Sequence, residues 1–411
     1  MYKESKYNIR VQDGQNLIVY NSISKASVRF FNTNEVSLMD LENNLKKVLF
    51  DQGFLVDENK DETKYLNYLF NKSYFDSDFL NIVMVPSLRC NFNCPYCFEH
   101  TKGNCIKEIG VPQYFETLYN FSKKIFDKYP DIELSMFGGE PLLFADSYFD
   151  YFSKVFSDFP KKQITTSIVT NGSLLTEDIV LKLLHYNCRS IQVTIDGWKK
   201  AHNFTRCFNT GEESYDIIIK NINNLLPILP DSCTFNLRIN LNNITIDEVE
   251  NSLNDIDINY RDKVNILFRP IYNTQCFVQR NSNKLNELKP YLSLAKNKGF
   301  SLVKNSYLYQ ACESCSGDDF FYIMPDLSLW KCINDLTFEQ AKIGEIDSNC
   351  EPIFDADKLV NWHFYSSDLD AKCENCKLLP DCYGGCVLYK AKNGKRNCKE
   401  FAMSSAPYLF K

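Results

Sequence analysis

Between residues 80 and 268, short apolar runs alternate with helical patterns, and this alternation narrows the fold more than any other feature of the chain. The runs cover residues 80–86, 132–137, 163–170, 191–195, 234–241 and 264–268. Amphipathic stretches at 112–128, 146–159, 176–185 and 214–226 separate them. Strand, helix and strand in succession make right-handed βαβ units and a parallel sheet. About six such units predict an α/β fold, a partial (β/α)6 TIM-like barrel over residues 85–300. Barrels of this kind carry their active sites at the C-terminal ends of the strands.

The flanks differ from the centre. In residues 1–84, alternation at 7–11 and 17–20 around Asp13-Gly14 predicts a hairpin, and 26–30 a third strand. Helical patterns follow at 35–49 and 61–71, so a small β/α module of winged-helix type is expected. Residues 301–411 hold nine of the 17 cysteines, and loops rich in Gly, Asp, Asn and Pro replace regular patterns. A domain whose core is partly inorganic reads this way. A chain of 411 residues also exceeds what one core organises.

The cysteines need a chemical account. No apolar run is long enough to span a membrane, and the polar start lacks a secretory signal, so a cytoplasmic protein is expected. The net charge of -6, with signs mixed and no basic stripe, argues against nucleic acid. Disulfides are disfavoured in a reducing compartment, so clustered cysteines read as metal or cluster ligands. The first group, Cys90-x3-Cys94-x2-Cys97, follows the first barrel strand. Three thiolates on one loop hold three irons of a [4Fe–4S] cluster and leave the fourth open, as catalysis requires. A zinc site, or a closed cluster with a distant fourth cysteine, fits the same spacing. The second group is Cys373-x2-Cys376-x5-Cys382-x3-Cys386, then Cys398, with Cys312-x2-Cys315 and Cys332 upstream. Eight thiolates are two sets of four, and four thiolates suit zinc or iron–sulfur alike.

The loop from Cys90 to Cys97, with Tyr96 before its last cysteine, resembles the signature of the radical SAM superfamily. Its neighbours agree. Phe137-Gly138-Gly139-Glu140-Pro141 resembles the family's GGEP element, where glycines let the backbone approach a ligand. Val169-Thr170-Asn171-Gly172, Thr194-Ile195-Asp196-Gly197 and the run from His202 to Arg206 resemble further elements. The resemblance implies that S-adenosylmethionine binds the open iron and is cleaved reductively to a 5′-deoxyadenosyl radical, which abstracts a substrate hydrogen. Tyr96, Gly138, Gly139, Glu140, Asn171, Thr194 and Arg206 are the expected cofactor-binding residues. Glu140 and main-chain carbonyls would accept from the methionine ammonium, and Arg206 would pair with its carboxylate.

The C-terminal spacing resembles the SPASM extension of such barrels. That implies two auxiliary [4Fe–4S] clusters beside the catalytic one. Cys312, Cys315, Cys332 and Cys386 would hold the first, and Cys373, Cys376, Cys382 and Cys398 the second. Pro325 to Cys332 resembles the turn before a ligand cysteine, except that Leu327 stands where Gly is usual. Among the other cysteines, Cys188 and Cys233 read as core. Cys105 and Cys207 read as loop residues near the mouth. Asp318 and Asp319 are candidates for a general base by position alone.

Relatives with this extension modify peptides or proteins. Two substrates are expected: a ribosomally made precursor peptide, crosslinked through a thioether or a carbon–carbon bond, or a sulfatase converted to formylglycine. A flavodoxin or ferredoxin would supply the electron. The N-terminal module favours the first, as a site where a leader peptide adds to a sheet edge. A non-catalytic iron–sulfur carrier is the remaining alternative.

Overall fold

The computed structural model describes residues 1–75, 78–97, 99, 106–241, 244–270, 284–302, 317, 319–367, 369 and 371–396. The N-terminal module contains β1 (Tyr2–Glu4), β2 (Asn8–Asp13), β3 (Asn16–Asn21), β4 (Ser27–Phe30), α1 (Asn43–Asp51), β5 (Leu55–Asp57) and α2 (Glu62–Phe75). Strands β2, β3 and β4 form an antiparallel sheet in that order, turning at Gly14 with φ +63°. β1 pairs with β5 instead. The helix expected over 35–49 starts only at Asn43. The Leu38 N–H donates to Glu4 Oε1 at 3.0 Å, which ties this stretch to β1.

The centre is built of β6 (Phe79–Met84), α3 (Val111–Ile125), β7 (Asp131–Met136), α4 (Ala145–Asp158), β8 (Gln163–Thr170), α5 (Glu177–His185), β9 (Cys188–Ile195), α6 (Lys199–Thr205), α7 (Tyr215–Leu225), β10 (Thr234–Leu241), α8 (Ile246–Asn254), β11 (Val264–Pro270), α9 (Lys284–Asn297) and β12 (Ser301–Leu302). Strands β6 to β12 are neighbours in sequence order and all parallel. Order without reversal means that every right-handed crossover steps the same way, so the helices cover one face and leave the other as a lumen.

Side chains obey that division. In β7, Ile132, Leu134 and Met136 are buried toward the helices, while Asp131, Glu133 and Ser135 alternate to the other face. In β10, Phe235, Leu237 and Ile239 are buried, and Asn236, Arg238 and Asn240 share the lumen face. The helices answer with aromatics. Tyr114, Leu118 and Phe121 of α3 and Tyr148 and Phe152 of α4 are fully buried, each contributing roughly 1.5–3 kcal/mol. Tyr148 O–H donates to the Met84 and Phe137 carbonyls at 3.0 and 3.2 Å, where two strand ends separate.

The C-terminal part is more regular at first than its sequence suggests. β13 (Phe320–Ile323) adds parallel to β6, and β14 (Ser328–Trp330), β15 (Lys342–Ile346) and β16 (Pro352–Phe354) continue antiparallel, giving an 11-stranded sheet. Leu327 takes the left-handed conformation, φ +65°, so the turn expected of glycine forms at a strain of about 1–2 kcal/mol. Then come α10 (Ala356–Ser367), α11 (Ala371–Glu374), α12 (Leu379–Cys382) and α13 (Val387–Asn393). The two termini share a core: Tyr7, Leu66, Phe70 and Tyr74 pack with Leu379 and Tyr383. Phe70 stacks on Tyr383 with centroids 3.5 Å apart.

Candidate active site

The site forms where the C-terminal ends of β6 to β10 meet the cysteine loop. The loop is held from one side by the Gly-Gly-Glu-Pro turn. Glu140 N–H donates to the Arg89 carbonyl at 2.9 Å and Gly139 N–H to the Ser87 carbonyl at 3.4 Å. A Cβ on Gly139 would stand 2.1 Å from the Arg89 oxygen, and Gly138 has φ +121° with Ser87 oxygen 2.7 Å from its Cβ position. Both glycines are therefore required by main chain packed on main chain.

Glu140 is 1% exposed. Oε1 accepts from Leu142 N–H at 3.1 Å and Thr170 O–H at 2.7 Å, and Oε2 from Asn171 N–H at 2.7 Å. Its carboxylate is thus used to join the ends of β7 and β8. The carboxylate expected to accept from an ammonium thus already takes three donors of the chain itself. Asn171 continues the chain of contacts, donating to Asn91 Oδ1 at 2.8 Å and to Cys90 Sγ at 3.9 Å.

On the other side stands a network whose members Tyr96 and Arg206 are expected site residues and whose centre is not. Asp196, 1% exposed at the end of β9, is its hub. Oδ2 accepts from Tyr96 O–H and Thr205 O–H, both at 2.6 Å, and Oδ1 from Asn240 Nδ2 at 2.9 Å. Arg206 Nη1 donates to the Tyr96 oxygen at 3.2 Å, and its guanidinium lies 5.7 Å from the Phe92 ring centre. His202, fully buried, accepts from Asp196 N–H through Nδ1 and meets Ser214 Oγ through Nε2. Burial, seconded by Arg206, holds the imidazole neutral, well below its usual range. Thr194 lies two residues before Asp196 on the same face, and its hydroxyl bonds nothing within the described chain. The usable signal was the parity of positions 194 and 196 and an Asp before a Gly at a strand end.

The thiols sit half-buried in this frame. Burial pushes Cys90 up to about 12 and Cys94 up to about 11, the second against the pull of Arg206. Metal loading therefore displaces protons from them. Three thiols on one loop, a glycine cradle beside it, and a buried Arg206 whose Nε has no partner fit an iron–sulfur cluster with a carboxylate-bearing ligand next to it. Cys207 joins the same loop through its carbonyl, which accepts from Asn93 N–H at 3.2 Å.

Of the second cysteine group, Cys312, Cys315 and Cys398 lie outside the described residues, as do Cys105, Cys276 and Asp318. Cys332 and Cys386 pack against one apolar cluster around Trp330 and Val387. Cys373 and Cys376 are joined by the Cys376 N–H donating to the Cys373 carbonyl at 3.0 Å. Cys188 and Cys233 are buried, as expected. Asp319 is not at the mouth. Its carbonyl accepts from Asn81 N–H near the start of β6 and its carboxylate from Tyr129 O–H, so it stands at the opposite end of the strands and the general-base expectation fails. Among the described residues no helix is long and apolar enough to cross a membrane.

Residues 84–256 match the Radical SAM superfamily. The chain is 27% identical to the radical SAM cyclopropyl synthase TigE of Paramaledivibacter caminithermalis over 59% of its own length and 53% of that protein's, so the match spans about half of that relative. It is 25% identical to the cysteine-type anaerobic sulfatase-maturating enzyme of Clostridium novyi, over 76% of this chain and 89% of that one. The fold is shared with Streptococcus suis SuiB bound to its precursor peptide SuiA, with a TM-score of 0.55 at 15% identity over 96% of this chain and 98% of that one. Residues 84–256, which carry the cysteine loop and the strand ends that hold it, are a domain of the Radical SAM superfamily.

Proposed function

We propose that the chain is a peptide maturase that uses S-adenosylmethionine to install a crosslink, a thioether first among them, in a ribosomally made precursor. The observation that carries this reading is the N-terminal module. Among the described residues its outer strand β4 pairs only with β3, and helix α1 of the same module exposes Leu45 and Val48. An open edge in a module that also exposes apolar side chains suits a peptide that adds as a strand. The module also shares its core with the cysteine-bearing C-terminal part. The likeness to SuiB supports it by extending over this region.

Cys90, Cys94 and Cys97 would hold a [4Fe–4S] cluster, which supplies the electron that cleaves the sulfonium. The chain's own residues do the rest. Arg206 orients the methionine carboxylate, the glycine turn offers main-chain carbonyls to the ammonium, and the Asp196 network fixes Tyr96 and so the cysteine loop. Two auxiliary clusters on the C-terminal cysteines would take up the electrons that crosslinking releases, and a flavodoxin or ferredoxin would deliver the first. A bare carrier has no use for the pocket these residues build. Formylglycine formation in a sulfatase is the second reading, favoured by the identity to the Clostridium novyi enzyme.

The test incubates reconstituted enzyme with S-adenosylmethionine, a reductant and a cysteine-containing peptide encoded beside its gene, and records the peptide mass before and after thiol alkylation. Loss of two hydrogens with fewer free thiols is expected. Unchanged peptide, with a sulfatase peptide converted instead, moves the assignment to the second reading. The module is tested separately. Asn21 N–H bonds the Ala26 carbonyl, so by alternation the Arg29 N–H faces the open edge. Arg29→Pro should weaken peptide binding about tenfold or more while iron content stays unchanged. Equal binding by this variant removes the leader site.

A further inference from the structure

Three arginines stand near one another at the mouth of the lumen. Arg206 serves the cysteine loop through Tyr96. Arg238 stands on the lumen face of β10 between Asn236 and Asn240. Arg269 stands on β11 opposite Asn240, with Leu267 opposite Arg238, so the two guanidiniums are diagonal neighbours on one face. Burial lowers Arg238 to about 10, and the charges of Arg269 and Arg206 press in the same direction. The acid that acts on it is Asp196, whose oxygens already accept from Tyr96, Thr205 and Asn240.

Arg238 Nε donates to Asn240 Oδ1 at 2.9 Å. Its other nitrogens bond nothing within the described chain, and it forms no ion pair there. A half-buried guanidinium without an acid is unfavourable unless a ligand completes it. Its planar fork matches a carboxylate with two parallel hydrogen bonds. The site lies one strand beyond Asp196, on the β10 and β11 side, away from the Arg206 side chain packed on Phe92.

We infer that Arg238, with Arg269 beside it, reads a carboxylate of the substrate, an acidic side chain or a C-terminus next to the residue that is modified. A substrate held there by its charge presents one carbon to the radical source and withholds the others. The inference rests on the peptide reading only for the molecule that carries the carboxylate.

The experiment uses full-length reconstituted protein and needs no precursor peptide, so its failure and failure of the maturase reading are separate results. Formation of 5′-deoxyadenosine from S-adenosylmethionine is measured with N-acetyl-glutamate methylamide or the glutamine analogue as probe. The S-adenosylmethionine dissociation constant is read from the electron paramagnetic resonance of the reduced cluster. In the wild type the glutamate probe should alter the rate and the glutamine probe should not. Arg238→Met should raise the glutamate concentration needed by about tenfold or more, Arg238→Lys by less, with S-adenosylmethionine affinity changed by less than about twofold. Two results overturn the inference: equal action of both probes on the wild type, or a tenfold loss of S-adenosylmethionine affinity in Arg238→Met, which would give the guanidinium to that cofactor's own carboxylate. The wild-type probe comparison decides the matter even if the variants fail to load iron.

Discussion

The two cysteine-bearing regions are held in opposite ways. At the barrel mouth, side chains from four strand ends bind one another and the cysteine loop: Glu140 joins β7 to β8, and Asp196 joins β9 to β10 and to Tyr96. In residues 371–396 the helices are four, four and seven residues long, held by main-chain turns such as Cys382 N–H to the Leu378 carbonyl and by apolar packing of Leu379, Tyr383 and Val387 on neighbouring parts of the chain. The first region is preorganised by its own polar groups. On the proposed function the second would gain part of its order from what its thiols bind. A catalytic loop must keep its geometry while ligands come and go, whereas a permanent cluster can be its own scaffold.

The largest effect expected is at the mouth. Cys94→Ala should reduce 5′-deoxyadenosine formation to background and leave the far-ultraviolet circular dichroism and the thermal unfolding of the metal-free protein unchanged. A collapse of secondary structure in that variant would break the comparison, because the loop would then need its cluster to fold. Cys376→Ala should keep part of the S-adenosylmethionine cleavage, lose the peptide product, and open residues 371–396 to limited proteolysis. If that segment resists protease as the wild type does, its order is not owed to its thiols.

Smaller effects sharpen the contrast. Asp196→Ala removes the acceptor that Tyr96, Thr205 and Asn240 share; at about 1–3 kcal/mol for each buried donor left unpaired the metal-free protein should melt several degrees lower. An unchanged melting temperature would mean that the hub does not hold the mouth. The smallest concerns His202. Its folded-state proton affinity is lowered, so the unfolded chain binds more protons, and stability is full above about pH 6.5 and declines as pH falls below it. His202→Gln should flatten the fall in melting temperature between pH 7.5 and 5.5; equal slopes would show that the ring is not a source of the loss.

The barrel and its cysteine loop were legible because their signals are local: apolar runs, helix periods, and thiols a few residues apart. Long-range pairing was not. β13 is four residues long, and nothing in Phe320–Ile323 says that it lies beside Asn81 to Met84. The helix expected from residue 35 begins at Asn43, after a 3-10 turn at Leu38–Asp40 whose first N–H is taken by Glu4, 34 positions earlier. At the site, Thr194 and Asp196 point the same way, and only the placement of Tyr96, Thr205 and Asn240 tells which one organises the mouth. Asp319 looked close to chemistry in sequence and stands at the far end of the strands. Parity along a strand was readable; which end of the barrel a loop occupies was not.

The shared core of the two termini sets a schedule for synthesis. Tyr7, Phe70 and Tyr74 leave the ribosome early, while their partners Leu379 and Tyr383 follow roughly 300 residues later, about 15–60 s at ordinary elongation speeds. Through that interval the barrel can close and its loop can form, but the first module waits with its aromatic face uncovered. Completion of this core thus waits for Leu379 and Tyr383, which stand among the cysteines proposed to take iron, so that chains starved of iron would be left with an adhesive surface on the first module as well as a loose segment around residues 371–396.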